Sequence, residues 1–413
     1  MKKKILIISE IFYPEIGSGA NRISNIVKYL KRYDYDITVL TSNPKYPLKE
    51  LYTNKKFWDD EKEKEILDGV NLIRINPSKA KVTNNFFIRA YIYVFFMLKS
   101  MIKILRLKKD YDVVVATIPS IFIGVLGVFS KKKFKSKFIL DIRDLWPECI
   151  KNISIFKKSK IVRKFTYSLE SYILKRADSL IINSDGFRSY LRNKGYKNKI
   201  EFVPNSLSDI DIVNNKKIIS TVTKHKDFTI IYSGLLGMAQ NASIIVETAN
   251  YLRNYNNIKF KIIGEGVEKN KVIKLMEEYE LNNISINSAM PKDEVIKEVA
   301  KCHIGLVHLR GDSAFDLVIP GKIIDYMGVG IPIVAGVEGY TASVIEKSGS
   351  GITVPCDDYI KLGQAILKIY NNTFLQESYS KNGLEYSSKY FTWDLNIKKV
   401  DELIGKVIRG EKN

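Results

Sequence analysis

Short apolar runs alternate with amphipathic, helix-like segments along most of this sequence, in two successive series. The runs of the first series lie at 5–9, 37–41, 72–75, 113–116, 138–142 and 180–183, and those of the second at 229–233, 259–263, 284–286, 304–309, 331–335 and 352–354. Runs this short and apolar are typical of parallel strands that are buried on both faces. Strands that alternate with helices form βαβ units, so the sequence predicts an α/β protein with doubly wound sheets.

A polar segment without a strong helical period separates the two series. We interpret residues 1–205 as an N-terminal Rossmann-like domain, 206–227 as a linker, 228–390 as a C-terminal Rossmann-like domain, and 391–413 as a C-terminal helix that can return to the first domain. The length of 413 residues supports two domains, because single cores rarely grow beyond about 300 residues. Ligands of such sheets bind at the carboxyl ends of the strands, so we expect the two domains to face a cleft.

The chain is strongly basic, with 66 Lys and Arg against 45 Asp and Glu and a net charge of +21. This charge favours an anionic partner such as nucleic acid, acidic lipid or a phosphorylated substrate, although lysines scattered over a solvated surface explain it equally well. With 3 cysteines and 3 histidines far apart or unaccompanied, the sequence predicts neither a disulfide framework nor a metal site. The Asp-x-Asp triplets at 34–36 and 209–211 read as solvated turns.

Two loops of the N-terminal domain carry unusual residues after a predicted strand. Gly17 and Gly19 would let the backbone approach a ligand next to a helix N-terminus, which favours an anion, although an ordinary tight turn accounts for them as well. Residues 141–148 place four ionisable residues and a tryptophan after the fifth strand. Arg143 and Asp144 are the candidates there, and the alternative is an Arg–Asp pair that stabilises the loop.

The C-terminal domain offers a candidate anion site. Gly234 and Gly237 flank a turn that can expose backbone N–H groups to phosphate. Pro320 stands where a helix can begin, so Lys322 and the positive helix end would act on the same anion. Asp325 shares the helix face of Lys322 and could accept hydrogen bonds from a diol such as ribose. The alternative is an ordinary ion pair between Lys322 and Asp325 on the surface.

Several strings resemble the bacterial glycosyltransferases of family 4, which have the GT-B fold. They lie at 13–17, 141–148, 177–184, 203–205, 263–266 and 318–322. The most specific is Asp-Ile-Arg-Asp-Leu-Trp-Pro-Glu at 141–148, which is similar to the branch that adds N-acetylfucosamine-type sugars in O-antigen and capsule assembly. The resemblance runs from residue 1 to about residue 395.

The resemblance implies a retaining, metal-independent transfer of an N-acetylated amino sugar from a nucleoside diphosphate sugar to a polyprenyl-diphosphate-linked glycan. The N-terminal domain would bind this acceptor and the C-terminal domain the donor, with no cofactor. The catalytic candidates are then Asp144, Arg143 and Lys322. The donor-binding candidates are Gly17, Gly19, Gly234, Gly237, Gly264, Arg310, Val318, Ile319, Pro320, Lys322 and Asp325.

The sequence departs from the family pattern at three places. The acidic pair Glu-x7-Glu falls on Leu317 and Asp325, so the first acid is absent and the second is one methylene shorter. The loop after the first strand of the C-terminal domain lacks the Arg and Lys of many relatives, which leaves Lys322 and Arg310 as cations for the diphosphate. Arg143 stands where the family often carries a histidine.

An aromatic and apolar segment at 85–106 carries four cations, Arg89, Lys99, Lys103 and Arg106. Such a helix can lie in a bilayer interface, and a lipid-linked acceptor would bring the enzyme to an anionic surface. No stretch reaches the roughly 20 apolar residues of a membrane span. We therefore expect a cytoplasmic protein bound to the inner face of the cell membrane. The alternative is a core helix that covers the N-terminal sheet.

Two other functions fit parts of the sequence. A sugar-nucleotide 2-epimerase of the GT-B fold would need acids and a histidine in the cleft, and histidine is scarce. A nucleic-acid-binding protein is suggested by charge alone, and it would need a basic face with stacking aromatics. No recognition motif of that class occurs, so we predict no nucleic-acid partner.

Overall fold

The computed structural model describes residues 2–45, 49–53, 58–76, 78, 86–118, 120–151, 154–311 and 315–411. The chain forms two compact units. The first comprises Met1–Pro204 and Trp393–Asn413, and the second comprises Asn205–Thr392. Each unit is built on one parallel sheet with helices between the strands, which confirms the prediction of two doubly wound α/β domains.

The sheet of the first unit has seven strands in the order β3-β2-β1-β4-β5-β6-β7. They are β1 Lys3–Ile8, β2 Tyr35–Ser42, β3 Asn71–Ile75, β4 Val113–Ile118, β5 Lys137–Ile142, β6 Ser179–Ile182 and β7 Ile200–Phe202. Every residue of β4 is buried, as its largely apolar sequence predicts for a strand covered on both faces. The helices between these strands are α1 Ser18–Leu30, α2 Asp60–Leu67, α3 Phe86–Leu105, α4 Ile121–Phe134, α5 Ser154–Lys158, α6 Lys160–Arg176 and α7 Phe187–Asn193.

The second unit repeats this topology in a sheet with the order β10-β9-β8-β11-β12-β13. Its strands are β8 Phe228–Ser233, β9 Ile258–Ile263, β10 Ile284–Asn287, β11 Ile304–His308, β12 Ile333–Gly336 and β13 Gly351–Val354. Its helices are α8 Asp209–Thr221, α9 Ser243–Tyr251, α10 Lys269–Glu278, α11 Lys292–Lys301, α12 Gly321–Gly328, α13 Gly339–Ser348, α14 Tyr359–Tyr370 and α15 Thr373–Tyr390.

The strand order places a topological switch point in each sheet. Neighbouring strands β1 and β4 lead to opposite halves of the first sheet, and β8 and β11 do so in the second. Ligands of doubly wound sheets bind in the crevice outside the carboxyl ends of such strands. The loops that follow β8 and β11 therefore lie where a doubly wound sheet binds its ligand.

The segment at 206–227 is mostly helical. Helix α8 begins at a reciprocal capping box, in which the Ser208 side chain accepts from the Asp211 N–H and the Asp211 carboxylate accepts from the Ser208 N–H. Buried Asn215 on this helix donates to the carbonyl of Gly328 at 2.9 Å. The linker interpretation of 206–227 is therefore wrong, and 209–211 is a helix start rather than a solvated turn. The capping signal is readable in the sequence, but the helix has no clear apolar stripe.

The C-terminal segment belongs to the first unit. It forms helix α16, Trp393–Arg409, whose first residue is buried with its ring centroid 6.4 Å from that of Tyr29. Farther along the helix, the Lys399 ammonium donates to the carbonyl of Phe202 at 3.4 Å. The chain thus returns to the first sheet after completing the second.

Candidate functional site

The loop after β8 and the first turn of α12 meet at the switch point of the second sheet. Gly234 is exposed and has φ +137°, a conformation that favours glycine. A Cβ at this position would lie 3.3 Å from both Cε and Nζ of Lys322. Helix α12 begins after Pro320, as the sequence predicted, so Lys322 lies in its first turn. The structure thus brings Gly234 and Lys322 together.

Lys322 carries a buried ammonium for which the described residues provide no counter-ion. Its Nζ lies 3.3 Å from the centroid of the Tyr232 ring and has no hydrogen-bond partner within the described residues. Burial lowers the pKa of Lys322 well below its ordinary value. A cation over an aromatic face gains about 2 kcal/mol, which recovers only part of the cost of burying a charge. An anion bound at this place would supply the missing partner.

Arg310 is the second cation at this end of the sheet. Its backbone N–H donates to the carbonyl of Ala239 in the loop after β8 at 2.8 Å. Lys322 and Arg310 both act on the same imidazole, that of His308, and lower its pKa in addition to the larger effect of burial. The predicted cations therefore lie near one another.

Buried His308 organises this end of the second sheet, a role that the sequence did not suggest to us. Its Nδ1 donates to the carbonyl of Gln240 at 2.8 Å, and its Nε2 accepts from the N–H of Asp357 at 3.1 Å. These two bonds define a neutral imidazole that joins the loop after β8 to the loop after β13. Its position at a strand's carboxyl end is the sequence signal for this role.

Three of the predicted donor-binding residues support the site from beneath. Gly264 is buried, and a Cβ there would lie 1.9 Å from the carbonyl oxygen of Gly234. Gly237 is buried next to Gln240, and the Ile319 side chain packs in the hydrophobic core. Side chains at Gly264 and Gly237 would thus meet protein atoms, as the Ile319 side chain does. Contact between these three residues and the donor stays a prediction.

Val318 and Pro320 flank this core residue. The carbonyl of Val318 accepts a hydrogen bond from the hydroxyl of Thr341 on α13, while its side chain is half-buried. Pro320 has an extended backbone and caps α12 without a side-chain hydrogen bond. The first turn of the helix therefore starts with N–H groups that no capping side chain satisfies.

Asp325 lies one turn beyond Lys322 and has a different partner. Its Oδ1 is 3.5 Å from Nζ of Lys292 on α11, and the same ammonium is 3.3 Å from Oδ2 of Asp211. Both Lys322 and Asp325 are described, and no ion pair joins them. The alternative of an ordinary Lys322–Asp325 pair is therefore wrong.

In the first unit, Asp141 is a structural residue. Arg22 forms a fully buried, two-pronged salt bridge with it, with Nη2 at 2.7 Å from Oδ1 and Nε at 3.1 Å from Oδ2. Thr117 donates to the same carboxylate at 2.5 Å, and Arg22 also donates to the carbonyl of Val203 at 2.6 Å. An Arg–Asp pair thus does stabilise this loop, but its arginine comes from α1.

Arg143 and Gly19 bring the two predicted loops of the first unit together. A Cβ on Gly19 would lie 2.2 Å from Nη2 of Arg143, so a side chain at position 19 would displace this guanidinium. Gly17 is exposed with φ +121° and precedes α1, which has no side-chain cap. The loop before it is held by Glu15, whose buried carboxylate accepts from the N–H groups of Phe12 and Lys45 at 3.1 and 2.9 Å.

Asp144 lines a small cavity of about 20 Å³ in the first unit. The cavity is otherwise largely apolar, with Trp146 and Leu145 beside Asp144 and with Glu170 as a second carboxyl group. Burial raises the pKa of Asp144, and the neighbouring Arg143 acts against that rise. A carboxyl group with a raised pKa can exchange protons closer to neutral pH.

Helix α3 is amphipathic in an unusual sense, because one apolar face is buried and another is exposed. Ile92, Phe96 and Ile104 pack inward. The exposed large apolar side chains, which we call the α3 stripe, are Phe87, Tyr91, Leu98, Ile102 and Leu105. Their spacing of four, seven, four and three places them on one helix face. The core-helix alternative thus applies to the buried face of this helix and not to its exposed face. Residue 85 of the predicted segment lies outside the described residues.

Lys99 and Lys103 are exposed on the same helix, and Arg106 is exposed directly after its last residue. Arg89 donates to the hydroxyl of Tyr93 at 3.4 Å. In the part of the chain that the structure describes, no helix is long and apolar enough to cross a membrane. In the same part, no group of three or more His, Cys, Asp or Glu side chains is arranged to hold a metal ion.

Two family models match successive parts of the chain. Residues 17–206 match the glycosyl transferase 4-like domain, and residues 213–386 match the glycosyl transferases group 1. WcaI of Escherichia coli (strain K12), named as a glycosyl transferase of colanic acid biosynthesis, is 22% identical over 82% of this chain and 84% of its own length. The chitobiosyldiphosphodolichol beta-mannosyltransferase of Candida albicans is 23% identical over 82% of this chain and 78% of its own length.

Solved structures agree with the architecture. Sucrose-phosphate synthase from Thermosynechococcus elongatus superimposes with a TM-score of 0.78 at 14% identity, over 99% of this chain and 100% of the other. Alr3699/HepE from Anabaena, in complex with UDP-glucose, gives 0.68 at 14% identity, over 98% and 99% of the two chains. This chain is therefore a glycosyltransferase of the GT-B fold, built from a glycosyl transferase 4-like domain followed by a group 1 domain.

Proposed function

We propose that this enzyme transfers a sugar from a nucleoside diphosphate sugar to a lipid-linked glycan, and that its second unit binds the donor diphosphate. The observation that carries this proposal is the buried Lys322 ammonium, which has no hydrogen-bond partner among the described residues. It lies beside the exposed backbone of Gly234 and in the first turn of α12. A diphosphate is the kind of anion that a cation, a glycine loop and a helix N-terminus bind together.

The same groups would also assist the reaction. Negative charge grows on the diphosphate as the bond to the sugar breaks, and preorganised positive groups stabilise that charge. Lys322 and the N-terminus of α12 are in place before the donor binds. Arg310 and Lys322 both lower the pKa of the His308 imidazole, so Arg310 acts on the same surroundings. We expect these groups to make a metal ion unnecessary. The UDP-glucose complex of Alr3699/HepE supports a nucleotide sugar as the donor class.

The acceptor and the finer identity of the sugar rest on resemblance. The Candida albicans relative is named for an acceptor linked to dolichol through a diphosphate, and WcaI is named for a bacterial polysaccharide. These names support a polyprenyl-diphosphate-linked glycan in capsule or O-antigen assembly. The string at 141–148 supports an N-acetylated amino sugar, and the family pattern supports retention of configuration. Asp144 would take the acceptor's proton, with Arg143 beside it.

The α3 stripe supports a position on the inner membrane surface. Exposed aromatic and aliphatic side chains can enter the headgroup region, and Lys99, Lys103 and Arg106 would meet anionic lipid. A lipid-linked acceptor stays in the bilayer, so an enzyme that uses it has to work at that surface. We infer peripheral binding through α3 on this ground.

Transfer from labelled nucleotide sugars to a short-chain polyprenyl diphosphate glycan tests the proposal. The wild type should release a nucleoside diphosphate only when the acceptor is present, and it should do so in the presence of a metal chelator. Lys322→Ala should lower turnover about 10²–10³-fold. The matched control is Lys368→Ala, which removes an exposed lysine of the same unit. Near-normal turnover in Lys322→Ala would refute the assignment of this anion site.

A further inference from the structure

A second charged cluster of the second unit was not expected from the sequence. Lys292 is the first residue of α11, and its ammonium lies between Asp211 of α8 and Asp325 of α12. The three side chains are only 21%, 18% and 32% exposed. Three helices therefore contribute to one partly buried ion triad, which lies one helical turn from Lys322.

The two carboxylates of this triad are not equivalent. Asp211 is held twice through one oxygen, because its Oδ2 accepts from Lys292 and also from the N–H of Ser208 at 2.9 Å in the capping box. Asp325 contacts Lys292 through Oδ1 alone, and the described residues provide no donor to its Oδ2. Asp211 is thus tied to the start of its own helix, while Asp325 has only its contact with Lys292 among the described residues and lies on the helix of Lys322.

We infer that Lys292, oriented by Asp211, is a positioning residue that holds Asp325 ionised and directed at the two ribose hydroxyls of the donor nucleotide. The inference rests on the proposed function, since it assumes a nucleotide next to Lys322. It adds that recognition of the ribose depends on a lysine outside the family strings, supplied by α11 rather than by the helix of Lys322. A carboxylate can accept from both hydroxyls only in its ionised form.

The charges around Asp325 determine the expected dependence on pH. Burial raises the pKa of Asp325, Lys292 opposes this rise, and Asp211 reinforces it. For Lys292, burial lowers the pKa, but Asp211, Asp325 and Asp293 outweigh burial and raise it. Tyr326 is the neighbouring titratable group on α12, and burial raises its pKa further from neutrality. Lys292 therefore stays charged at neutral pH, and without it Asp325 would protonate as the pH falls.

The test compares binding of UDP and GDP with binding of their 2′-deoxy forms by calorimetry, at pH 6 and pH 8. The ribo and 2′-deoxy forms carry the same diphosphate, so titration of the diphosphate and of Lys322 affects both affinities equally. The ratio of the two affinities therefore reports contacts to the ribose. The variants are Lys292→Met, Lys292→Arg and Asp325→Asn, and the control is Lys297→Met, which removes an exposed lysine of the same helix. The single variant Lys292→Met leaves the Asp211 carboxylate without its lysine and can be unstable for that reason. In that case the double variant Lys292→Met/Asp211→Asn, which also removes the charge of Asp211, replaces it.

We expect the wild type, Lys292→Arg and Lys297→Met to prefer the ribonucleotide about tenfold at both pH values, as for one lost hydrogen bond to a charged group. Lys292→Met should keep part of this preference at pH 8 and lose it at pH 6, and the double variant should also lose it at pH 6. Asp325→Asn should lose it at both pH values.

The possible failures are distinguishable. A full preference in folded Lys292→Met at pH 6 would overturn the role of Lys292. A wild type that binds UDP or GDP without preferring the ribose form would overturn this inference and leave the diphosphate site intact. A wild type that binds neither nucleotide would overturn the proposed function as well.

Discussion

Replacing Lys322 with methionine should raise stability and abolish most turnover at the same time. Methionine keeps the apolar stem of the side chain in place and removes the buried charge. An unpaired buried ion costs several kcal/mol, and the contact with the Tyr232 ring returns about 2 kcal/mol of that cost. The variant without ligand should therefore gain about 1–3 kcal/mol. Such a gain raises Tm by roughly 2–4 °C per kcal/mol in a domain of 150–250 residues.

The two effects are separable by calorimetry and by turnover. Scanning calorimetry of the ligand-free proteins should show the rise in Tm, while turnover should fall about 10²–10³-fold. Excess UDP should stabilise the wild type more than the variant, because binding to the folded state adds stability. A lower Tm in Lys322→Met together with unchanged turnover would refute the idea that this lysine is kept at a cost for an anion.

The lowered pKa of Lys322 gives this comparison a dependence on pH. The unfolded chain keeps an ordinary lysine, with a pKa of about 10.4, while burial lowers the pKa in the folded protein. Between these two values the unfolded state binds more protons, so the stability of the wild type rises with pH. The advantage of Lys322→Met should therefore shrink as the pH rises toward 10. An advantage that grows with pH would contradict the direction of the shift.

Three further predictions concern the first unit. Asp144→Asn should lower turnover about 10²–10⁴-fold, as for the loss of a general base, and leave the affinity for UDP unchanged in calorimetry. Arg22→Met should destabilise the protein by about 3–5 kcal/mol in chemical denaturation, because it leaves the buried Asp141 carboxylate unpaired, and Arg22→Met/Asp141→Leu should recover most of the loss. Replacing Lys99, Lys103 and Arg106 by Gln should weaken binding to anionic liposomes by about 3 kcal/mol at low salt. Turnover on a soluble acceptor should not fall. If the variant sediments with the liposomes as the wild type does, the membrane contact lies elsewhere.

Local sequence patterns predicted the parts of this fold that depend on local order. Apolar runs marked every strand of both sheets except β7, and Pro320 followed by Lys322 marked the start of α12. Gly234 was expected near the same site because it follows a strand, and the structure places it in contact with Lys322. Periodicity, helix starts and strand ends are properties of neighbouring residues, so they can be read from one chain.

Contacts between residues far apart in the chain were not predictable in this way. Arg22 and Asp141 are separated by 119 positions, and no local pattern indicates that the arginine of α1 neutralises the acid of β5. Lys292 resembles many surface lysines in its local sequence. In the structure its ammonium contacts both Asp211 of α8 and Asp325 of α12. Pairing of this kind depends on the packed arrangement of whole elements. It also decides which charged residues remain available to a ligand.

The strand ends of the two units differ in whether their charged side chains are already paired within the protein. In the first unit, Glu10 pairs with the Lys45 ammonium at 2.9 Å, and Asp141 pairs with Arg22. Those charges are neutralised inside the protein, so they stabilise their loops and offer little to a ligand. In the second unit, Lys322 is buried with no counter-ion among the described residues, next to a helix N-terminus without a capping side chain. A diphosphate would gain most where positive charge is left uncompensated, and this supports the proposal that the donor binds to the second unit and the less charged acceptor hydroxyl to the first.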